Sequence, residues 1–464
     1  MTHHHMTGRE RIFAALRHQP TDRVPWVPFA GVHAGLLKGH NARAVLTDAD
    51  KLYESLLEAN RLYIPDGQPV LFDLQVEAEI LGCELLWADK APPSVASHPL
   101  AASLTPPGYL PEKTDGRLPL ILDVMSRMKA AVGETTALYG LVCGPFTLAS
   151  HLRGTEIFMD MMFNADELTA LLAYTRDVTL RIADLYLEAG MDVIAVVDPL
   201  VSQIGPKHFA QFLHAPFSAI FAGLRERGAL SSFFVCGDAT KNIEAMCQTG
   251  PDSISIDENI DMAAAKAITD RYNITIGGNI PLTTVMLMGT QQDNMKFAVD
   301  MLDRLDHHNL IVAPGCDMPY DTPPENVIGV AQALRDPDAA RAMLASYEAP
   351  DLFDIDVTLP DYAHLERPLV EVFTLDSDAC AACGYMLVAA LRAKAEIGMP
   401  IDVTEYRFTV RENVARCRKL GVKNLPSIYI NGELKYSSII PGTDELVATI
   451  TAAAQAMKTS HSPS

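Results

Sequence analysis

Eight short apolar runs, each bounded by turn-forming residues and most separated by helical periodicity, constrain this chain more than any other feature. They fall at residues 24–29, 70–74, 137–142, 192–197, 232–235, 253–256, 273–276 and 310–313. Such runs are too short for buried helices and suit strands covered on both faces. Between them, 167–189 repeats Leu168, Leu171, Leu172 and Tyr174 at helical spacing, and a second helical pattern at 207–227 follows the fourth run. Strands alternating with helices predict a parallel sheet. Eight of them, with no Gly-rich phosphate turn after the first, predict a (β/α)8 TIM barrel rather than an open doubly wound sheet. The stretch 89–115, rich in Pro, Ala and Ser, reads as an insertion.

In such a barrel the chemistry sits where the strands end. The runs are followed by His33, by Asp73 with Glu77 and Glu79, by Cys143, Asp198, Cys236 with Asp238, Asp257 with Glu258, Asn279, and Cys316 with Asp317. The rim is therefore acidic and carries sulfur. Formal net charge is −21, with 48% hydrophobic and 20% charged residues. That composition is globular, and no basic excess exists to neutralise nucleic-acid or membrane phosphates. The whole acidic excess precedes Leu365; beyond it, acidic and basic residues are equal in number. No apolar run approaches the ~20 residues of a membrane span. Eight cysteines are ordinary for 464 residues, so the expectation is a cytoplasmic protein with mostly reduced thiols. His3, His4 and His5 ahead of Met6 read as a tag or an upstream start, outside the functional argument.

The barrel pattern spans 6–348 and gives way at 349–368 to an acidic, Pro-containing linker. A second pattern then runs over 369–458: strand, Cys380-Ala-Ala-Cys383, helix, strand, helix, two strands, helix. A Cys-x-x-Cys opening the first helix of that order is a thioredoxin-like arrangement. Cys380 at the helix N-terminus is the expected attacking thiolate, and Cys383, one turn on, the resolving thiol. Leu425-Pro426-Ser427 resembles the cis-proline turn of thioredoxin and glutaredoxin domains, making Pro426 a redox-support residue, although Ala379 stands where those domains often carry an aromatic. Cys417 reads as packing, as do Cys83, Cys143 and Cys247.

Several blocks of the first part together resemble the uroporphyrinogen decarboxylase superfamily: Arg9-Glu10-Arg11-Ile12-Phe13, Asp22-Arg23-Val24-Pro25, 76–83, Gly144-Pro145-Phe146-Thr147, Val235-Cys236-Gly237, Gly278-Asn279, and Gly315-Cys316-Asp317 ahead of 322–326. The resemblance implies a (β/α)8 barrel, and an enzyme from one of two branches, decarboxylases or corrinoid-dependent methyltransferases such as the methylcobalamin:coenzyme M enzymes. Two features favour the second branch. The arginine-bearing block of decarboxylases after the first strand is here 29–35, without arginine, and the late Gly-His-Gly block is Gly315-Cys316-Asp317. In the methyltransferases that cysteine is a zinc ligand, joined by a His-x-Cys block that Cys236 matches. Phe234 occupies the histidine position. Zinc takes three protein ligands in an open site, so either another rim group such as His33, Glu77, Glu79 or Asp238 completes a set with Cys236 and Cys316, or the metal is lost.

The resemblance thus implies Cys236 and Cys316 as catalytic residues, with His33, Asp73, Glu77, Asp198, Asp238 and Asn279 around a small-molecule substrate. A methyl group would move between a corrinoid and a thiol or folate. The chain has no Asp-x-His-x-x-Gly corrinoid motif, which implies methylcobalamin as substrate or a corrinoid on a separate partner protein; Cys380 and Cys383 imply a redox partner. Two alternatives stand beside this. One is a decarboxylase of a porphyrinogen or smaller carboxylic acid, with Asp73 or Asp198 stabilising a protonated pyrrole. The other is a ligand-binding or redox-sensing protein whose only chemistry is at Cys380 and Cys383.

Overall fold

The computed structural model describes residues 5–377 and 380–460. His3, His4 and Ala379 lie outside the described residues. The chain divides into two compact units, Met1–Ala349 and Pro350–Ser464.

The first unit is built on seven parallel strands in sequence order: β1 (Gly67–Leu71), β2 (Ala137–Cys143), β3 (Val193–Val197), β4 (Leu230–Phe234), β5 (Ser253–Ser255), β6 (Thr275–Ile280) and β7 (Leu310–Pro314). Nearly every residue of these strands is buried, as expected where helices cover a parallel sheet outside and side chains fill it inside. The sequence reading expects an eighth strand at 24–29, and here the structure differs. Pro25 and Pro28 lack the N–H groups a ladder needs, so this segment makes only an isolated bridge, Trp26 to Val312. It still joins the two edges. The Val27 amide donates to the Val312 carbonyl at 3.0 Å and the Val312 amide to Pro25 at 2.9 Å, while the Trp26 carbonyl accepts from Asp66 at 2.9 Å. The sheet thereby closes on itself in the manner of a TIM-type fold.

Two further differences have local causes. The stretch expected as strand at 70–74 pairs instead over Gly67–Leu71, leaving Asp73 free to accept from the Gln75 amide at 2.9 Å in the turn. The continuous helix expected at 207–227 is interrupted: Pro206–His208 passes through a wider turn at Phe209–Leu213 before the helix His214–Glu226. Ala165–Glu188 is one unbroken helix.

In the second unit, β8 (Leu369–Thr374), the helix Ala381–Glu396, β9 (Asp402–Arg407), the helix Arg411–Leu420, β10 (Ser427–Ile430), β11 (Glu433–Ser437) and the helix Thr443–Ser460 follow in order. The sheet order is β9-β8-β10-β11, with β8 and β9 parallel and the other two pairs antiparallel. The Leu425–Pro426 peptide is cis. The acidic segment ahead of β8 packs on this unit. Asp351 pairs with Arg418 at 3.0 Å, and the Tyr362 hydroxyl donates to buried Glu371 at 2.9 Å. The Tyr362 ring also lies against Gly432, where a Cβ would meet it at 2.7 Å.

Candidate active site at the strand ends

The inside of the barrel near its C-terminal end is aromatic. Phe29, Phe72 and Phe234 are buried and in mutual contact, with ring centroids 4.8 Å apart for Phe29–Phe234 and 5.7 Å for Phe72–Phe234. Cys236 and Cys316 pack against this cluster and are partly exposed. They arrive from the ends of β4 and β7, 80 residues apart in sequence, and form a disulfide with Cα atoms 6.0 Å apart, inside the usual range for such a bond.

Both cysteine-bearing turns rest on the segment after β5. The Asp257 carboxylate accepts from the Gly237 amide at 2.8 Å, and Gly237 has φ +85°, a conformation that favours glycine. Gly315 lies so close to Glu258 that a Cβ would meet the Glu258 amide nitrogen at 2.7 Å. Asn279, at the end of β6, holds this segment in turn. Its side-chain amide donates to the carbonyls of Asp257 at 3.0 Å and Ile260 at 2.7 Å. Asn279 is therefore a buried brace for the cysteine turns.

Other residues expected around a substrate are likewise committed within the protein. His33 is wholly buried, bonded to the Tyr63 hydroxyl at 2.6 Å and the Tyr320 carbonyl at 2.9 Å; burial pushes its pKa down to about 4, so it is neutral. Asp198 accepts from the amides of Phe146 at 2.9 Å and Thr147 at 3.1 Å and from the Thr147 hydroxyl at 2.6 Å. It caps the helix Pro145–Arg153 from the neighbouring strand, explaining why a glycine, Gly144, precedes that helix: a Cβ there would overlap Asp198. Asp73 is paired with Arg117 at 2.7 Å, and Arg117 reaches Glu79 at 2.7 Å as well. Glu77 is buried and accepts from the Cys143 amide at 2.9 Å. Asp238 is partly exposed and binds the Thr240 hydroxyl at 2.6 Å.

Burial changes the electrostatics of this rim. It pushes Glu77 and Asp198 up to about 7 and Glu258 up to about 8, and raises Asp257 and Asp317 as well. Desolvation disfavours the charged form of each of these five carboxyls.

Sequence reasoning missed Arg117, Asp317 as an anchor, and the bracing role of Asp257 and Glu258. Arg117 comes from the far side of the insertion, and no spacing marked it as the partner of Asp73. Asp317 accepts from the Gly31 amide at 2.8 Å. The sequence signal was its adjacency to Cys316.

The donor set as folded does not fit zinc. Cys236 and Cys316 are bonded to each other, Phe234 is sealed in the aromatic cluster, Glu77 already holds an amide, and His33 is enclosed. Among the described residues no group of three or more His, Cys, Asp or Glu is arranged to hold a metal. Nor is any helix among them long and apolar enough to cross a membrane. A separate cavity of about 690 Å³ at the opposite end is lined by Arg11, Asp22, Arg23 and Asp66; these charges close on one another, as in the Arg23–Asp66 pair at 2.7 Å.

Residues 7–336 match the uroporphyrinogen decarboxylase (URO-D) family. The chain belongs to that family. Within it, the methylcobamide:CoM methyltransferase MtbA of Methanosarcina acetivorans is 30% identical over 332 residues, spanning 69% of this chain and 95% of the relative. The MtaA methyltransferase of Methanosarcina barkeri is 29% identical over 70% of this chain and 97% of its own length. A uroporphyrinogen decarboxylase of Wolbachia pipientis is 24% identical over 64% of this chain and 87% of its own. A solved methyltransferase from Methanosarcina mazei shares the fold with a TM-score of 0.66, covering 74% of this chain and all of that one.

Proposed function

We propose that the first unit transfers a methyl group between a corrinoid and a small thiol, and that the second is a thioredoxin-like dithiol module serving it. The observation that carries this reading is the meeting of Cys236 and Cys316 at the mouth, braced by Asp257, Glu258 and Asn279, in a chain whose 30%-identical relative is a methylcobamide:CoM methyltransferase. A corrinoid held by a separate protein would supply the methyl group. The chain's own part is to exclude water with Phe29, Phe72 and Phe234 and to hold a proton at Glu258 near neutral pH beside the Cys316 turn. No step through zinc is derived.

Cytoplasmic placement belongs to the same proposal, since a dithiol module is useful where thiols are kept reduced. The test is turnover of methylcobalamin with simple thiols by the full chain, before and after dithiol treatment. Methyl transfer supports the proposal; porphyrinogen decarboxylation without methyl transfer overturns it. Decarboxylation is the second reading, favoured by the burial of Asp198 and Glu77, which pushes both up to about 7 and softens the repulsion an anionic substrate would meet.

A further inference from the structure

Among the eight cysteines, all within the described residues, three have solvent access: Cys236, Cys316 and Cys380. Cys83, Cys143, Cys247 and Cys417 are buried in packing positions, and Cys383 is buried behind Cys380. The sulfur chemistry open to solvent is thus one disulfide in the first unit and one thiol, backed by a second, in the other. The barrel pair is joined sulfur to sulfur, whereas Cys380 and Cys383 are not bonded to each other.

The second pair has the geometry of an attacking dithiol. Cys380 is the N-cap residue of Ala381–Glu396, and its sulfur accepts from the Cys383 amide at 3.4 Å. The first sulfur thus sits at the open N-terminal end of the helix, where an attacking cysteine is reached from solvent. Cys383 accepts from the Leu375 amide at 3.4 Å, which holds the second sulfur one turn behind the first. The barrel pair is a suitable target because both its residues are partly exposed at the strand ends and pack against the apolar cluster.

We propose that Cys236–Cys316 is a redox-switched pair and that Cys380–Cys383 of this same polypeptide is its reductant. The inference rests on reading the second unit as a dithiol module. The Cys380 thiolate attacks one sulfur of the Cys236–Cys316 bond, forming a mixed disulfide and releasing the other barrel sulfur as a thiolate, which takes up a proton. Cys383, losing its proton, attacks Cys380, frees the remaining barrel thiol and closes the Cys380–Cys383 disulfide. Two electrons pass from module to barrel, and a dithiol from solution resets the module. The methyltransferase site is then assembled only in the reduced barrel.

The test uses the full chain oxidised with glutathione disulfide, then given limiting dithiothreitol, with free thiols counted by isotope-coded alkylation and peptide mass spectrometry. Cys236 and Cys316 should become free roughly tenfold more slowly in Cys380→Ser than in the parent, as expected for loss of the attacking thiolate. In Cys383→Ser, or in Cys383→Ala if the serine folds poorly, a Cys380 peptide should be trapped on the Cys236 or Cys316 peptide. Insulin reduction by the parent is the parallel measurement. Its absence overturns the dithiol-module reading and the inference with it. Insulin reduction with equal barrel release rates in parent and Cys380→Ser, and no trapped peptide, overturns the exchange and leaves the module reading intact. A barrel pair that alkylates fully after glutathione disulfide treatment also overturns it.

Discussion

Replacing Arg117 with methionine removes the cation that neutralises Asp73 while keeping much of the side chain's bulk. The Asp73 side chain is fully buried, the Arg117 side chain 10% exposed, and the two are 2.7 Å apart. Arg117 also holds Glu79 and lies over the Trp87 ring, 5.1 Å from its centroid. Burial works against the guanidinium, yet Asp73 and Glu79 together raise its pKa. Removing one partner of a buried pair costs about 3–5 kcal/mol, because the other charge is left uncompensated. The Gln75 amide still donates to Asp73 at 2.9 Å, which places the expected loss toward the lower end, about 3 kcal/mol. Urea unfolding followed by intrinsic fluorescence reads it on the barrel transition, and a cycle with Asp73→Asn isolates the pair. That cycle should return a coupling of roughly 2 kcal/mol, within the span for residues in direct contact. A loss below about 1 kcal/mol, the value of an exposed pair, would refute the burial argument.

Three further outcomes follow from the same geometry. Glu77, Asp198 and Glu258 have folded pKa values raised by burial to about 7, 7 and 8, so their contribution to stability is full below their unfolded values and is lost as pH rises through 7 to 8. Thermal melts should show that decline between pH 5 and 8, and Glu77→Gln should flatten it. Gly31→Ala would place a Cβ 2.5 Å from Asp317 Oδ1, so a melting temperature lowered by several degrees is expected, with little loss in Gly39→Ala, which meets no neighbouring atom, beyond the strain of its φ of +74°. Phe234→His restores a third donor at the position the aromatic cluster now fills; reduced protein should gain zinc by elemental analysis while losing about 3 kcal/mol of stability from the broken packing.

What the sequence made legible was the repeat of the scaffold. Seven of eight expected strands are present because short apolar runs between helices have few other solutions. The exception, 24–29, contains two prolines whose effect on the ladder was readable in principle. At the site's sulfur, sequence position put Cys236 and Cys316 at two strand ends, and the structure joins them in a disulfide that the expectation of reduced thiols did not foresee. The site was not legible at its other polar side chains. Asp73 and Asp198 follow strands, Asn279 ends one and His33 follows the bridging segment, yet their side chains are turned to Arg117, Thr147, the Asp257 turn and Tyr63. Sequence position places a residue at a rim, but which way its polar atoms face depends on partners 30 to 51 residues away, as for His33 and Asp198.

The segment that reads as a linker has a practical consequence for dissecting the two units. Asp351, Asp356, Thr358 and Tyr362 hold Arg418, Lys419, Arg416 and Glu371 respectively. A fragment starting at Leu369 would strip Tyr362 from a Glu371 carboxyl whose pKa burial already raises, and would uncover the face beside Gly432. The stretch behaves as an N-terminal strap belonging to the smaller unit. A separately expressed smaller unit should therefore begin at Pro350, and a protease that frees an intact one should cut near Ala349.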